Sequence, residues 1–167
     1  MDTTSDTGEL SDLVARVPYA MLTTCGGDGR LPGRPVQTLR FDADHVFWFF
    51  TSARSAKIAQ LKANANVNLA YADPAHRKFA SVCGVAQLLR DEQLAHGLWQ
   101  VGQTIFFPQG PADPDLMILK VHGHVARYWN GDASLLETVI KFGNAALRGE
   151  RADLGTVAEI PLRAQSG

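Results

Sequence analysis

Cysteine is scarce in this chain. Cys25 and Cys83 are the two in 167 residues, and they are far apart with no C-x-x-C pair. A secreted disulfide framework and a structural zinc site are both disfavoured by that usage, so both side chains read as reduced cytosolic thiols. Excess positive charge is also lacking, since the formal net charge is −1. A general nucleic-acid binder is usually more basic. No apolar run approaches the length of a transmembrane helix. The N-terminal segment MDTTSDTGELSD has neither the positive start nor the apolar stretch of a signal peptide. The expectation is a cytoplasmic protein with no membrane and no nucleic-acid partner. No Walker sequence and no G-x-G-x-x-G follows a strand, and no G-x-S-x-G elbow is present for a hydrolase triad.

What is present is an ordinary globular composition, 46% hydrophobic and 20% charged, over a length able to bury one core. The reading is a disordered N-terminal tail over 1–8, then a single domain over 9–167. A short helix fits ELSDLVARV. YAMLTTC reads as a strand, GGDGR as a glycine turn, and GRPVQTLRFD as a returning strand with Pro35 at an edge, bulge or start. DADH is a second turn and VFWFFT a third strand. A helix is expected over 52–63, with Ser52 as candidate N-cap. NVNLAYAD and KFASVCGVAQLLRD are strands, the second bent or bulged at Gly84. DEQLAHGLWQVGQTIF is expected to be helical, capped by Asp91, and FPQGPADPD a loop. LMILKVHGHVARYW is a strand, Ser134 and Glu137 open a helix, and TVAEIPL closes the chain as a strand. Six or more mostly antiparallel strands with few helices give a mostly β (α+β) class and a small closed or half-closed barrel.

The chemistry concentrates where VFWFFT runs into SARSAK. A core does not need Thr51, Ser52, Arg54, Ser55 and Lys57 at one strand-to-helix junction. Unpaired N–H groups and the helix dipole favour an anion there, and hydroxyls with a lysine would complete a phosphate seat. An N-cap followed by a solvated lysine and arginine is the alternative. Arg34 opens the strand expected to pair with VFWFFT through the DADH turn. That pairing would bring it to Thr51, so that Arg34, Ser55 and Lys57 converge on one anion. His122 and His124 share a strand face without a third ligand, so no metal is assigned. Asp113 and Asp115 among prolines read as a turn. Trp99 and Trp129 read as core, and Phe106-Phe107-Pro108 as core or as a lid over a flat ring.

The ordered series MLTT at 21–24, GRPV at 33–36, VFWFFTSARSAK at 46–57, NVNLAYAD at 66–73 and SVCGVAQLLRDE at 81–92 resembles the pyridoxamine 5'-phosphate oxidase-like split-barrel flavoproteins. LW at 98–99, FFPQGPADPDLMILKV at 106–121 and ARYWN at 126–130 extend it, and within the family the chain looks most like the general stress protein branch. The resemblance implies an FMN-binding split β-barrel, with FAD or a deazaflavin as alternatives, in a homodimer that holds flavin at the subunit interface. Arg34, Ser55 and Lys57 match positions that hold the phosphate. Pro35, Val36 and Gln37 match the strand along the isoalloxazine. Phe49, Phe50, Thr51 and Ser52 match the strand end beside it, and Trp99, Phe106 and Trp129 match contacts from the partner or the lid. A flavin-dependent oxidoreductase reduced by a nicotinamide donor is the implied activity. A flavin sensor or reservoir without turnover, and pyridoxamine 5'-phosphate oxidase itself, are the alternatives. The last is disfavoured, because Ala56 stands where the oxidases have a second phosphate-binding arginine, and the C-terminal segment TVAEIPLRAQSG carries only Arg163 in place of their arginine-rich tail.

Overall fold

A computed structural model describes residues 3–131 and 156–161. It contains helix α1 (Thr3–Arg16), strands β1 (Tyr19–Thr24), β2 (Gly33–Gln37), β3 (Arg40–Phe41) and β4 (Val46–Ser52), and helix α2 (Lys57–Ala63). Strands β5 (Asn66–Asp73) and β6 (Lys78–Leu89), helix α3 (Glu92–Leu98), and strands β7 (Leu116–Asn130) and β8 (Thr156–Pro161) follow. Short 3-10 turns cover Pro74–His76, Val101–Ile105 and Gly110–Ala112. The helix expected after Ser134 and the terminal Arg163 lie outside the described residues.

The strands form one antiparallel sheet in the order β2-β1-β5-β6-β7-β4-β3, with β8 added on β7. β2 and β3 are the two ends of that order, yet only Thr38 and Leu39 lie between them in the chain. Three Cα steps of 3.8 Å reach about 11 Å at most, so the sheet must curl until its edges meet. Thr38 N–H bonds to Pro18 O at 2.6 Å and Leu39 N–H to Trp48 O at 2.8 Å. The link is therefore tied to both sides of a seam that no continuous strand ladder closes. This is a split barrel of the expected mostly β class.

The single returning strand expected over 33–42 is thus two strands on opposite edges. Arg34 pairs with Leu22 of β1, and it is Arg40 that pairs with Trp48 of β4. The expected hairpin between Arg34 and Thr51 does not form, because the break at Thr38–Leu39 sends the two halves to different partners. α1 also begins at Thr3, so residues 3–8 of the expected disordered tail are helical. Extending a helix already anchored by buried Leu10, Leu13 and Val14 is far easier than nucleating one. The expected helix over 91–106 stops at Leu98. Trp99 and Gln100 are extended, and a 3-10 turn follows. Asp91 does cap α3, its side chain accepting from Leu94 N–H at 2.9 Å.

Two cores explain the apolar run VFWFF. Phe47 and Phe49 face the barrel interior with Leu22, Leu69, Tyr71, Val82 and Val121. Val46 and Trp48 face the other way, against Ala95 and Leu98 of α3 together with Phe107 and Ile118. A strand covered on both faces loses the apolar–polar alternation of a half-exposed one. At Gly84 the β6–β7 register shifts, as the sequence leads one to expect. A Cβ there would sit 2.4 Å from His122 O, so the position accepts only glycine without backbone movement.

Inside the seam, Thr38 Oγ1 and Tyr71 Oη share a buried hydrogen bond of 2.7 Å. Burial pushes the Tyr71 phenol above its ordinary pKa, with the Thr38 bond opposing. Tyr71→Phe strands the Thr38 hydroxyl and is expected to cost about 1–3 kcal/mol. Adding Thr38→Val should return part of that loss. Urea denaturation of the two single variants and the double variant measures it, and strict additivity would contradict the pairing.

Candidate functional site

A cavity of about 410 Å³ opens at the seam, between the edge strand β2 and the end of β4. Its walls are Tyr19, Pro35, Val36 and Gln37 on one side and Phe50, Thr51, Ser52 and Lys57 on the other, roofed by Gln103, Phe106 and Phe107. β2 supplies the first wall because Pro35 has no N–H to donate and so suits an unpaired edge. β4 supplies the second because the odd–even alternation that sends Phe49 into the barrel sends Phe50 out toward α3, where it packs on Trp99 and Phe107.

The cationic end is built from side chains. Lys57 Nζ donates to Thr51 Oγ1 at 2.7 Å and to Ser55 Oγ at 2.9 Å. Arg34 donates to Thr24 Oγ1 at 2.6 Å and to Gln60 Oε1 at 2.9 Å. Thr24 Oγ1 itself donates to Gln60 Oε1 at 2.7 Å. Desolvation, and then the charge of Arg34, hold the Lys57 pKa below its ordinary value. Desolvation also lowers that of Arg34. Two half-buried cations this close, with no carboxylate paired to either among the described residues, are the signature of a place kept for an anion. Hydroxyl and amide acceptors hold the cations in position without neutralising them.

Helix geometry contributes less than expected. α2 starts at Lys57, not Ser52, and its N-cap position is Ala56, which makes no side-chain cap. Ser52 Oγ instead donates to Asp115 at 2.6 Å and accepts from Arg54 N–H at 3.1 Å. Arg54 grips the same carboxylate at 3.1 and 3.2 Å, and the Arg54 hydrogen bond is the main reason the Asp115 pKa lies below its ordinary value. With Ala53 N–H on Asp115 O at 2.7 Å, this staple holds 52–54 against the turn before β7 and delays the helix. Arg54 is thus exposed and engaged, while Ser52 lines the cavity with its hydroxyl spent on Asp115.

Of the residues assigned from sequence, Pro35, Val36, Gln37, Phe50, Thr51, Ser52, Lys57 and Phe106 line the cavity, and Arg34 and Ser55 join its cationic end. Phe49 does not line it: its side chain is fully buried in the barrel core, because successive residues of a strand face opposite ways. Trp99 stands one layer back, against Phe50 at 5.8 Å between ring centroids. Trp129 lies far along β7 beside Phe79 of β6, whereas the β7 residue paired with Ser52 is Leu116. Phe107, read from sequence as core or lid, lines the cavity, while Tyr19, Thr24, Gln60 and Gln103 complete the site and were not assigned from sequence. Gln60 had a usable signal, since it lies three residues after Lys57 on one face of a helix. Gln103 had none, because it falls in a segment that reads as a helix surface. Among the described residues no group of three or more metal-ligating side chains occurs, and no helix is long and apolar enough to cross a membrane.

Comparison with known proteins agrees with this fold. No curated protein matches the chain by sequence. Among solved structures, a Clostridium acetobutylicum protein related to general stress protein 26 of B. subtilis is 25% identical with a TM-score of 0.71, covering 78% of this chain and 91% of its own. A general stress FMN/FAD binding protein from Xanthomonas citri is 28% identical with a TM-score of 0.66, covering 76% and 89%. A putative general stress protein 26 from Jannaschia sp. shares the fold at 21% identity, with a TM-score of 0.70 over 95% and 99%. The family model described as pyridoxamine 5'-phosphate oxidase like matches residues 5–153, and the chain belongs to that family.

Proposed function

We propose that this chain is a flavin-binding protein of the general stress type, holding FMN, with FAD as the alternative, and acting as a flavin-dependent oxidoreductase. The observation that carries the reading is the pair Arg34 and Lys57, partly buried without a carboxylate at one end of an otherwise largely apolar cavity. A phosphate fits that end, and a flat ring fits between β2 and the phenylalanines. Arg34 and Gln37 are three residues apart on an extended strand, or about 10 Å, a separation suited to a phosphate and a ring joined by a polyol. The flavin of the Xanthomonas citri relative supports the same assignment.

A bound flavin supplies hydride and electron transfer. The protein's part is to bind, orient and exclude water. Arg34, Lys57 and Ser55 fix the phosphate. Pro35, Val36 and Phe50 flank the ring, and Phe106 and Phe107 cover it. Among the described residues, Tyr19 and Lys57 are the titratable ones lining the cavity, and neither has a neighbour there arranged as a base. That favours chemistry needing only a reductant and an acceptor, with a nicotinamide as the donor. Ala56 before Lys57 argues against pyridoxamine 5'-phosphate as the substrate.

The outer face of the sheet supports a homodimer. Tyr19, Met21, Phe79 and Trp129 are exposed there, on a face that the pairings Met21–Ala70 and Phe79–Trp129 make continuous. Tyr19 also belongs to the cavity wall. A second copy on this face would bury the patch and close the open side of the cavity, and a two-fold axis can bring Trp129 of one copy to the cavity of the other.

Three outcomes are expected. FMN should bind more tightly than riboflavin. Arg34→Ala or Lys57→Ala should cost FMN about tenfold to a hundredfold, the worth of one charged hydrogen bond, and leave riboflavin nearly unchanged. Flavin fluorescence titration measures this, and equal losses for both ligands would remove the phosphate seat. Light scattering should give twice the chain mass, and Phe79→Glu should give monomers with weakened FMN binding; a wild-type monomer that binds FMN tightly would overturn the interface. The FMN-loaded protein should be bleached by a nicotinamide donor and recover repeatedly with an acceptor, while forming no aldehyde from pyridoxamine 5'-phosphate. Bleaching without repeated recovery would identify a sensor or reservoir, and aldehyde formation at about 1 per second or faster would identify a vitamer oxidase.

A further inference from the structure

From Gly97 to Ala112 the chain carries no Asp, Glu, Lys, Arg or His. At the chain's average of 20% charged residues, a run of that length would hold several. The run is not hidden in the core. It contains the 3-10 turn that roofs the cavity, and along that turn and its cap Val101 is 89% exposed, Ile105 82% and Phe106 70%. Single exposed apolar residues are ordinary, whereas a group of them on a segment without charge marks a surface kept for contact. Phe106 also lines the cavity, so this apolar strip is continuous with the ligand site. In the dimer proposed above, the partner covers the strand face of Tyr19, Met21, Phe79 and Trp129. The roof turn is not part of that face, which leaves the roof side of the mouth open.

A cavity of about 410 Å³ takes one cofactor-sized ligand, so a second reactant meets that ligand at the mouth. The side chains standing there decide its chemistry. A charged reactant would be desolvated against Val101, Ile105 and Phe106 without a partner, because Lys57 belongs to the phosphate end. A flat apolar reactant buries its faces against the strip and stacks on the Phe106 ring. The want of a base narrows the class again. An alcohol or amine gives up a proton as it is oxidised and needs a base to take it. An acceptor that takes up a hydride and then a proton from water needs none. We infer that the second substrate is an uncharged, flat, apolar two-electron acceptor of the quinone class, and that Val101, Ile105 and Phe106 form its docking strip. The inference rests on the flavin reading and names the acceptor which that reading leaves open. The exchange balances with the nicotinamide donor. The donor loses a hydride with its two electrons and leaves oxidised. The quinone gains that hydride by way of the flavin, takes one proton from water, and leaves as the hydroquinone.

The test titrates the oxidised, FMN-loaded full chain by calorimetry with menadione and with naphthoquinone sulfonate, a similar ring system bearing an anion. Wild type should bind menadione more tightly by about tenfold or more, since the sulfonate is desolvated without a partner. Val101→Lys and Ile105→Lys, both at exposed positions, should weaken menadione and tighten the sulfonate. Each added charge should move the ratio of the two affinities by about fivefold, and high salt should remove the gain for the sulfonate. In turnover with a nicotinamide donor, the same variants should raise the KM for menadione. Equal binding of the two quinones by wild type, binding of neither, or a ratio unmoved in both lysine variants overturns the acceptor and leaves the flavin site standing. Lysine variants that fall to half the wild-type mass in light scattering overturn it too, because the strip is then an interface between copies. A wild type that binds no FMN overturns the flavin reading and this inference together.

Discussion

The two-residue link Thr38–Leu39 is the constraint on which the rest of the structure depends. It joins the strands at opposite edges of one sheet, so the sheet has no choice but to curl. Curling puts the edge of β2 beside the end of β4, and the cavity is the gap those edges leave. Every wall residue owes its place to this geometry. Pro35 and Gln37 lie on one side of the seam, and Phe50, Thr51 and Lys57 on the other. The buried Thr38–Tyr71 hydrogen bond fastens the link to the interior, so the seam is held from within as well as along the chain.

The electrostatics of the site follow from what is withheld. Asp115, the carboxylate nearest the junction in function, is fully engaged by Arg54 and Ser52. Among the described residues, Arg34 and Lys57 meet only hydroxyl and amide oxygens. Such acceptors orient a cation but leave its charge unspent. The difference between Arg54, neutralised at the surface, and Lys57, desolvated and unpaired, separates a structural cation from one available to a ligand. Sequence placed these two side chains three positions apart and had no means of dividing their labour.

Strands were legible where alternation and turn residues were strong. β5 begins and ends where the pattern does, and the Gly84 irregularity is where the glycine stands. The polar end of the cavity was legible too, through residue type: hydroxyls and cations gathered without a structural need. What stayed hidden has a physical cause in each case. The split of GRPVQTLRFD into β2 and β3 leaves no mark, because Thr38 and Leu39 are as suited to a strand as their neighbours. That error placed Arg34 opposite Thr51 by a hairpin that does not exist, although the true curl of the sheet delivers it to the same end of the cavity. Phe49 was assigned to the cavity because a doubly buried strand hides its own alternation. Gln103 was missed because a long-range hydrogen bond to Gln37 gives a local segment no periodicity of its own.

The double burial of β4 has a consequence for the life of the unfolded chain. Val46–Phe50 is uncharged, strongly β-forming and free of proline, the composition that stacks into fibrils when exposed. In the fold β7 pairs it along its length and β3 covers Phe47 and Trp48 on the other side, which leaves little of it open. Before folding it has no such cover. The residues around it then acquire a second meaning: Asp42 and Asp44 precede the run, Arg54 and Lys57 follow it, and charges flanking an apolar strand oppose its self-association. The same lysine that lines the cavity in the finished barrel guards the newly made chain against its neighbours.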